Sequence, residues 1–426
     1  MPAPVPPPPS PTPAAVEGHL SEEAVSGPGH RLRITLLMAG SCLPILGAVL
    51  IAPVLPQMQD HFADVAGVDA LVPMALTVPA LSLALLAPFA GVIVDKVGRK
   101  RLLVIATVLY AFLGTAPLWL DSLGAIVASR ALVGVVEAAI MTCCTTLIAD
   151  YYSGKQRDRY LALQTMCAAI SATAFILLGG AAGSAGWRTP FWAYAVALLL
   201  APAMAVFLPK PRPTDRTDES ATTAAPVKRP FPWRPLAGTC ALTLFGAVLF
   251  YTVQVELSFL LDDMGVTDSG LIGLAIAICN AAVVIGAVVF TRSGRSQQAW
   301  LPIAFGLCAL GLGVIWLAPN AVVLTIGGMI TLFGGGIMLP SLLTLAMSKL
   351  DYADRGRGTG LWTGFFFLGQ FICPLVVLAV TPAVGTTANA MGVLAAAAAV
   401  GAAGLARSAR LRRTAASAEP VEQLAG

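Results

Sequence analysis

Twelve apolar segments, each long enough to cross a bilayer, lie between Ile34 and Leu405 and leave this chain little freedom in what it folds into. A helix needs about 20 mainly apolar residues to cross roughly 30 Å of hydrocarbon, where every backbone polar group must be satisfied internally. With 57% hydrophobic and only 11% charged residues, the chain is far from the balance of a soluble protein. The expected fold class is an all-α membrane protein of twelve transmembrane helices. Twelve spans and short loops leave little room for a soluble domain.

A net charge of +4 invites a nucleic-acid reading, so the positions of the cations decide the matter. Apart from Arg130 and Arg188, every Lys and Arg falls in one of seven stretches: 31–33, 96–101, 155–159, 210–234, 292–295, 349–357 and 407–413. Each is an alternate loop or a terminus. The intervening loops carry Asp60, Asp64, Asp69, Asp121, Asp262, Asp263 and Asp268, with Arg188 as their one cation. Cytoplasmic loops carry the excess of cations, so both termini are expected in the cytoplasm, in a cell (inner, cytoplasmic) membrane, with no nucleic-acid partner. All eight cysteines lie within apolar segments at none of the spacings that metal sites use. They read as small buried side chains, and neither metal nor cofactor is expected.

Residues 1–29 are rich in Pro, Ala and Ser and read as a disordered cytoplasmic tail; residues 407–426 read the same way. Between them the chain falls into two similar parts. The fourth segment ends with Asp150 followed by Arg157 and Arg159, and the tenth, six segments later, with Asp351 followed by Arg355 and Arg357. Two pseudo-symmetric six-helix bundles follow, residues 30–208 and 235–406, joined by a proline-rich cytoplasmic tether at 209–234.

A charge at the bilayer centre costs at least about 2.5 to 3.5 kcal/mol, which makes Arg130, Glu137 and Glu256 the residues most in need of a purpose. Arg130 and Glu137 are seven residues apart, so they share a helix face about 10 Å apart along the axis. In a functional reading they line a water-filled cavity between the halves, with Glu137 or Glu256 accepting a proton and Arg130 helping to release it. Alternatively, Arg130 and Glu137 tie the fourth segment to a neighbour, and Glu256, near the outer surface, simply reaches water. No histidine lies within a segment, so any coupled protons must ride on carboxylates.

Aromatic and amide side chains at helical spacing supply candidates for a substrate cavity: Met141, Gln164, Tyr251, Gln254, Asn280, Trp362, Phe365, Phe366 and Gln370. The same spacing equally serves packing. No cluster of intramembrane cations exists to receive a phosphate or polycarboxylate, so the expected substrate is a lipophilic or amphipathic small molecule, neutral or cationic. The tenth segment also carries Gly334, Gly335 and Gly336 ahead of Pro340, which reads as a flexible run.

Three motifs carry a resemblance. GVIVDKVGRKR, from Gly91 to Arg101, resembles the loop between helices two and three of the major facilitator superfamily of secondary transporters. LGAVLIAPVLP, from Leu46 to Pro56, is similar to the first-helix motif of its twelve-span drug:proton antiporters. RALVGVVEAA, from Arg130, matches the fourth-helix motif in part, with Val133 and Glu137 at departing positions. In the fifth segment the Gly-Pro pair usual ahead of the paired glycines is replaced by Phe175 and Ile176. That departure weakens the inference of antiport without touching the fold.

The resemblance implies a conformational latch at the cytoplasmic ends. Asp95 would be held by Arg99 and by helix ends of the other half, Gly91 would allow close helix approach, and Gly98 the turn. Asp150 with Arg157, and Asp351 with Arg355, are either matching latch parts or plain surface charge. The function this implies is proton-coupled efflux of drugs or amphipathic molecules by alternating access, driven by the proton gradient in a monomer. The alternative is proton-coupled import of a small solute. A membrane sensor or scaffold is more remote, and an intramembrane enzyme lacks a gathered nucleophile or ligand set.

Overall fold

The computed structural model describes residues 29–87, 89, 94, 97–209, 233–351 and 354–422. Among these, twelve helices are long and apolar enough to cross a membrane: His30–His61, Val68–Leu86, Arg99–Leu118, Leu123–Tyr151, Gly154–Gly183, Thr189–Phe207, Trp233–Asp263, Ser269–Arg292, Gln297–Trp316, Ala321–Met347, Gly356–Val384 and Thr387–Leu411. They are referred to below as the first to twelfth spans.

Proline sets the irregularity of the first span. The α-helix stops at Val49, a 3₁₀ turn covers Ala52–Val54 with Pro53 in its first positions, and a second short helix, Leu55–His61, restarts at Pro56. Proline lacks a backbone N–H and fits best where that donor has no intrahelical acceptor, as at the start of a helix, although Pro44 also lies inside the first α-helix.

Two expectations change. Lys155, Arg157 and Arg159, expected in a loop, lie in the first turns of the fifth span. Residues 407–422, expected as a disordered tail, continue the last helix to Glu422; Ala, Leu, Arg and Glu are strong helix formers. The tail at 1–28 and most of the tether, 210–232, lie outside the described residues.

The fourth span packs on the first, second and third, and the tenth on the seventh, eighth and ninth, so each is the hub of its half. Between the halves the fifth span lies on the eighth, the second on the eleventh, and the acidic end of the first on the seventh and eighth. Glycines let these crossings close. Gly180 and Gly273 meet backbone to backbone at the acidic end of the seam, where Ser269 Oγ donates to the Gly180 carbonyl at 3.1 Å.

The run Gly334 to Gly336 is a correction to the sequence reading. It belongs to one unbroken helix, Ala321–Met347, and each glycine admits a different neighbour. Gly334 faces the Ala304 carbonyl of the ninth span, Gly335 the ring of Phe250 in the seventh, and Gly336 the Val283 backbone of the eighth. Successive residues turn 100° around a helix, so three in a row serve three contacts. Tight packing, not flexibility, is their use.

Candidate functional site

The first half is held around one guanidinium. Arg130 is fully buried, and its donors reach three other spans: Nε to the Ala75 carbonyl at 3.2 Å, Nη1 to the Tyr194 hydroxyl at 2.6 Å and Nη2 to the Gly47 carbonyl at 2.6 Å. Tyr110 lies beside it and donates to the Leu43 carbonyl at 2.5 Å. A fixed fork of donors suits this spreading of one charge over the first, second and sixth spans.

Glu137 shares the cluster but none of those bonds. It is fully buried, and neither carboxyl oxygen has a hydrogen-bond partner among the described residues. Its Oε1 occupies the space that a Cβ on Gly47 would fill. About one helical turn away, Gly134 faces the backbone of Pro79 in the second span, so the fourth span lies flush against it.

Zero exposure corrects one expectation. Arg130 and Glu137 sit inside the first half's own core and do not line a water-filled cavity between the halves. Their spacing showed that they share a face, but only the packing determines which way that face points. Gly47, Tyr110 and Tyr194 were missed as partners. Gly47 was legible in the first-helix motif, whereas nothing local marks Tyr194.

A separate group of candidates converges on the seam. Tyr251, Gln254 and Gln370 line a narrow cavity of about 10 Å³, walled from the first half by Ala48, Leu76 and Ile176. That is room for about one water molecule. Phe366 packs on Tyr251 with ring centroids 5.4 Å apart and stacks on Trp362 at 5.6 Å, and the buried Nε1 of Trp362 has no partner among the described residues. Three candidates lie elsewhere. Asn280 donates to Thr173 Oγ1 across the seam at 3.1 Å, Gln164 bridges Ser41 and Thr145 at 2.8 and 3.2 Å, and Met141 is 43% exposed on the fourth span. Phe365 packs against the apolar core. Glu256, 6% exposed, faces a different recess at the acidic end.

Residues 37–374 match the family model described as Major Facilitator Superfamily. This chain belongs to the Major Facilitator Superfamily. It is therefore a multi-pass membrane transporter and not an enzyme. It is 26% identical over 374 residues to the tetracycline resistance protein, class C, of Escherichia coli, covering 84% of this chain and 92% of that one. It is also 26% identical over 367 residues to the 3-(3-hydroxy-phenyl)propionate transporter of Escherichia coli (strain K12), covering 82% and 86%. Among solved structures, the D-xylose-proton symporter superposes with a TM-score of 0.70 at 13% identity, over 87% of this chain and 96% of that one.

At the basic end the structure describes part of the expected latch. Gly91 and Asp95 lie outside the described residues. Gly98 caps the third span with φ +91°, a conformation that strains any L side chain. Asp150 pairs with Arg99, which joins the fourth span to the third, and Arg157 instead lies near its neighbour Asp158 at 3.7 Å. Asp351 is exposed and Arg357 approaches Asp354 at 3.7 Å; the side chain of Arg355 lies outside the described residues. The Arg99–Asp150 pair stays within one half, between the third and fourth spans. Arg99→Asp or Asp150→Arg alone is expected to reduce transport severalfold, and the double exchange to restore most of it. Equal losses in the single and double variants would show that the pairing itself is not what matters.

Proposed function

We propose that this transporter exports amphipathic small molecules in exchange for protons, by alternating access between its two halves, with the basic end in the cytoplasm. The observation that carries the reading is Glu137: a fully buried carboxyl with neither oxygen bonded among the described residues, on one helix face with an arginine whose donors are engaged elsewhere. Burying such a group without partners costs on the order of 1 to 3 kcal/mol or more. Its charge is neutralised when it takes up a proton, or paired when Arg130 gives up a contact. Arg130 holds the first, second and sixth spans to the fourth, so either event alters how the half packs. Proton occupancy and the shape of the half are thereby linked.

The seam supplies the substrate side. Tyr251, Phe366 and Trp362 offer flat apolar surface, and Gln254, Gln370 and the Trp362 N–H offer a few hydrogen bonds. At about 10 Å³ the cavity admits no drug-sized molecule in this state, so binding requires the halves to part. The likeness to a tetracycline resistance protein supports export of such compounds. One proton moving through 100 mV supplies about 2.3 kcal/mol, enough for a gradient of several tens of fold.

The test uses inverted vesicles with a fluorescent lipophilic cation and a pH probe. Substrate-dependent proton efflux from acidified vesicles is expected from the intact protein and is lost in Glu137→Gln. Efflux that persists in the variant moves the coupling role to Glu256. A second reading, proton-coupled import, is favoured by Phe175 and Ile176 in place of the Gly-Pro pair and by the aromatic-acid transporter relative. It predicts concentration of a small solute inside energised right-side-out vesicles.

A further inference from the structure

At the acidic end of the seam a recess of about 390 Å³ opens between the first, second, seventh and eleventh spans. Five carboxylates line it: Asp60, Asp69, Asp262, Asp263 and Glu256. No Lys, Arg or His is among its described lining residues. Asp69 accepts from Gln59 Nε2 at 2.9 Å, while Asp262 lies within the field of both Asp60 and Asp263. The acids at the rim are exposed or partly so, as loop residues usually are. Glu256 is not. It is 94% buried by its 6% exposure, faces the recess, and has no hydrogen-bond or ion-pair partner among the described residues.

We infer that this recess is an outer binding site for a monovalent organic cation, with Glu256 as the counter-ion at its floor. Four features argue for that class. A buried carboxyl that faces a cavity without a donor is neutralised either by a proton or by a cation in that cavity, and this cavity is large enough to admit one. The rim aspartates raise the local concentration of cations before contact. Pro73, Phe259, Val377 and Leu378 line the recess with apolar and aromatic surface, which suits the body of an amphipath and, at Phe259, the face of a ring for a cation. The volume falls within the range of drug-sized sites, on the order of 300 to 1,000 Å³. A divalent metal fits less well, because among the described residues no three acid, His or Cys side chains come together in a way that could hold one.

The recess also has a position in the transport path. Glu256 is two residues from Gln254, about 3 Å further along the same helix. Residues 251, 254 and 255 face the central cavity, and 256, 259 and 263 face the recess. One helix therefore presents successive faces to both, and a cation can pass from amides and aromatic rings to a carboxylate without crossing bulk lipid. This inference deepens the export reading, on which it rests for the direction of movement, by naming the charge of the substrate.

The test is equilibrium binding to the full chain in nanodiscs, using tetraphenylphosphonium and tetraphenylborate, ions of the same shape and opposite charge. The cation is expected to bind at least tenfold tighter than the anion. Glu256→Gln is expected to weaken the cation at least tenfold, and the rim pair Asp60→Asn with Asp262→Asn severalfold. The rim variant, at surface positions, decides the matter on its own if Glu256→Gln does not fold. Equal binding of the two ions, no binding of the cation, or cation binding untouched by the carboxylate variants but lost in Gln370→Leu would each overturn the site. Proton exchange that fails in vesicles while the Glu256-dependent binding persists would remove the antiport reading and leave this site standing.

Discussion

Arg130→Met is expected to lower the protein's stability by about 3 to 5 kcal/mol and to abolish transport. Methionine fills much of the same space, so packing volume is not the cause. The loss arises because the Ala75 and Gly47 carbonyls and the Tyr194 hydroxyl are all buried, and each would lose its donor at once. Glu137 would also be left without a nearby cation. Arg130→Lys keeps the charge but not the fork: an ammonium cannot span acceptors on three helices. The lysine variant is therefore expected to fold better than the methionine variant and still not transport. Thermal unfolding in detergent, alongside vesicle transport, distinguishes the two. A methionine variant that melts with the parent protein would show that the guanidinium does not hold the half together.

Gly180→Leu is expected to act on conformation and leave the fold intact. A Cβ at residue 180 would stand 2.7 Å from the Ser269 carbonyl and 2.9 Å from the Gly273 Cα, closer than such atoms approach. Both partners belong to the other half, so the strain is relieved when the halves part at the acidic end and no helix need unwind. Overpacking of this kind costs about 1 to 3 kcal/mol. At about 2 kcal/mol the population shifts roughly thirtyfold toward the state open at that end. Spin labels at Ser184→Cys and Thr267→Cys, both exposed and flanking the seam, report it in a background free of the native cysteines. A longer label distance with an unchanged melting temperature is the expected outcome. An unchanged distance would mean that this contact does not hold the seam closed.

Gly134 shows how much a motif can and cannot say. Its place four residues after Arg130 was legible from the resemblance, but its purpose, flush contact with Pro79 of the second span, involves a residue 55 positions earlier. The aromatic and amide candidates divide for a similar reason. Tyr251, Gln254 and Gln370 face the seam, whereas Gln164 and Met141, with equally suitable spacing on their own helices, do not share that cavity. Helical periodicity gives relative angles within one helix. It carries no information on how that helix is rotated about its axis in the bundle. The glycine run at 334–336 was misread because low helix propensity and tight helix packing use the same residue.

Length and polarity alone determined the twelve spans, because lipid admits few ways to satisfy a backbone, and the placement of Lys and Arg determined the expected orientation. Those are local or one-dimensional properties of the chain. The tertiary structure decided that Arg130 and Glu137 belong to the core of one half, that Asp150 pairs with Arg99, and that Glu256 faces an acidic recess. Each depends on which helices become neighbours, and that follows from the fit of many small side chains, above all glycines, summed over the whole bundle.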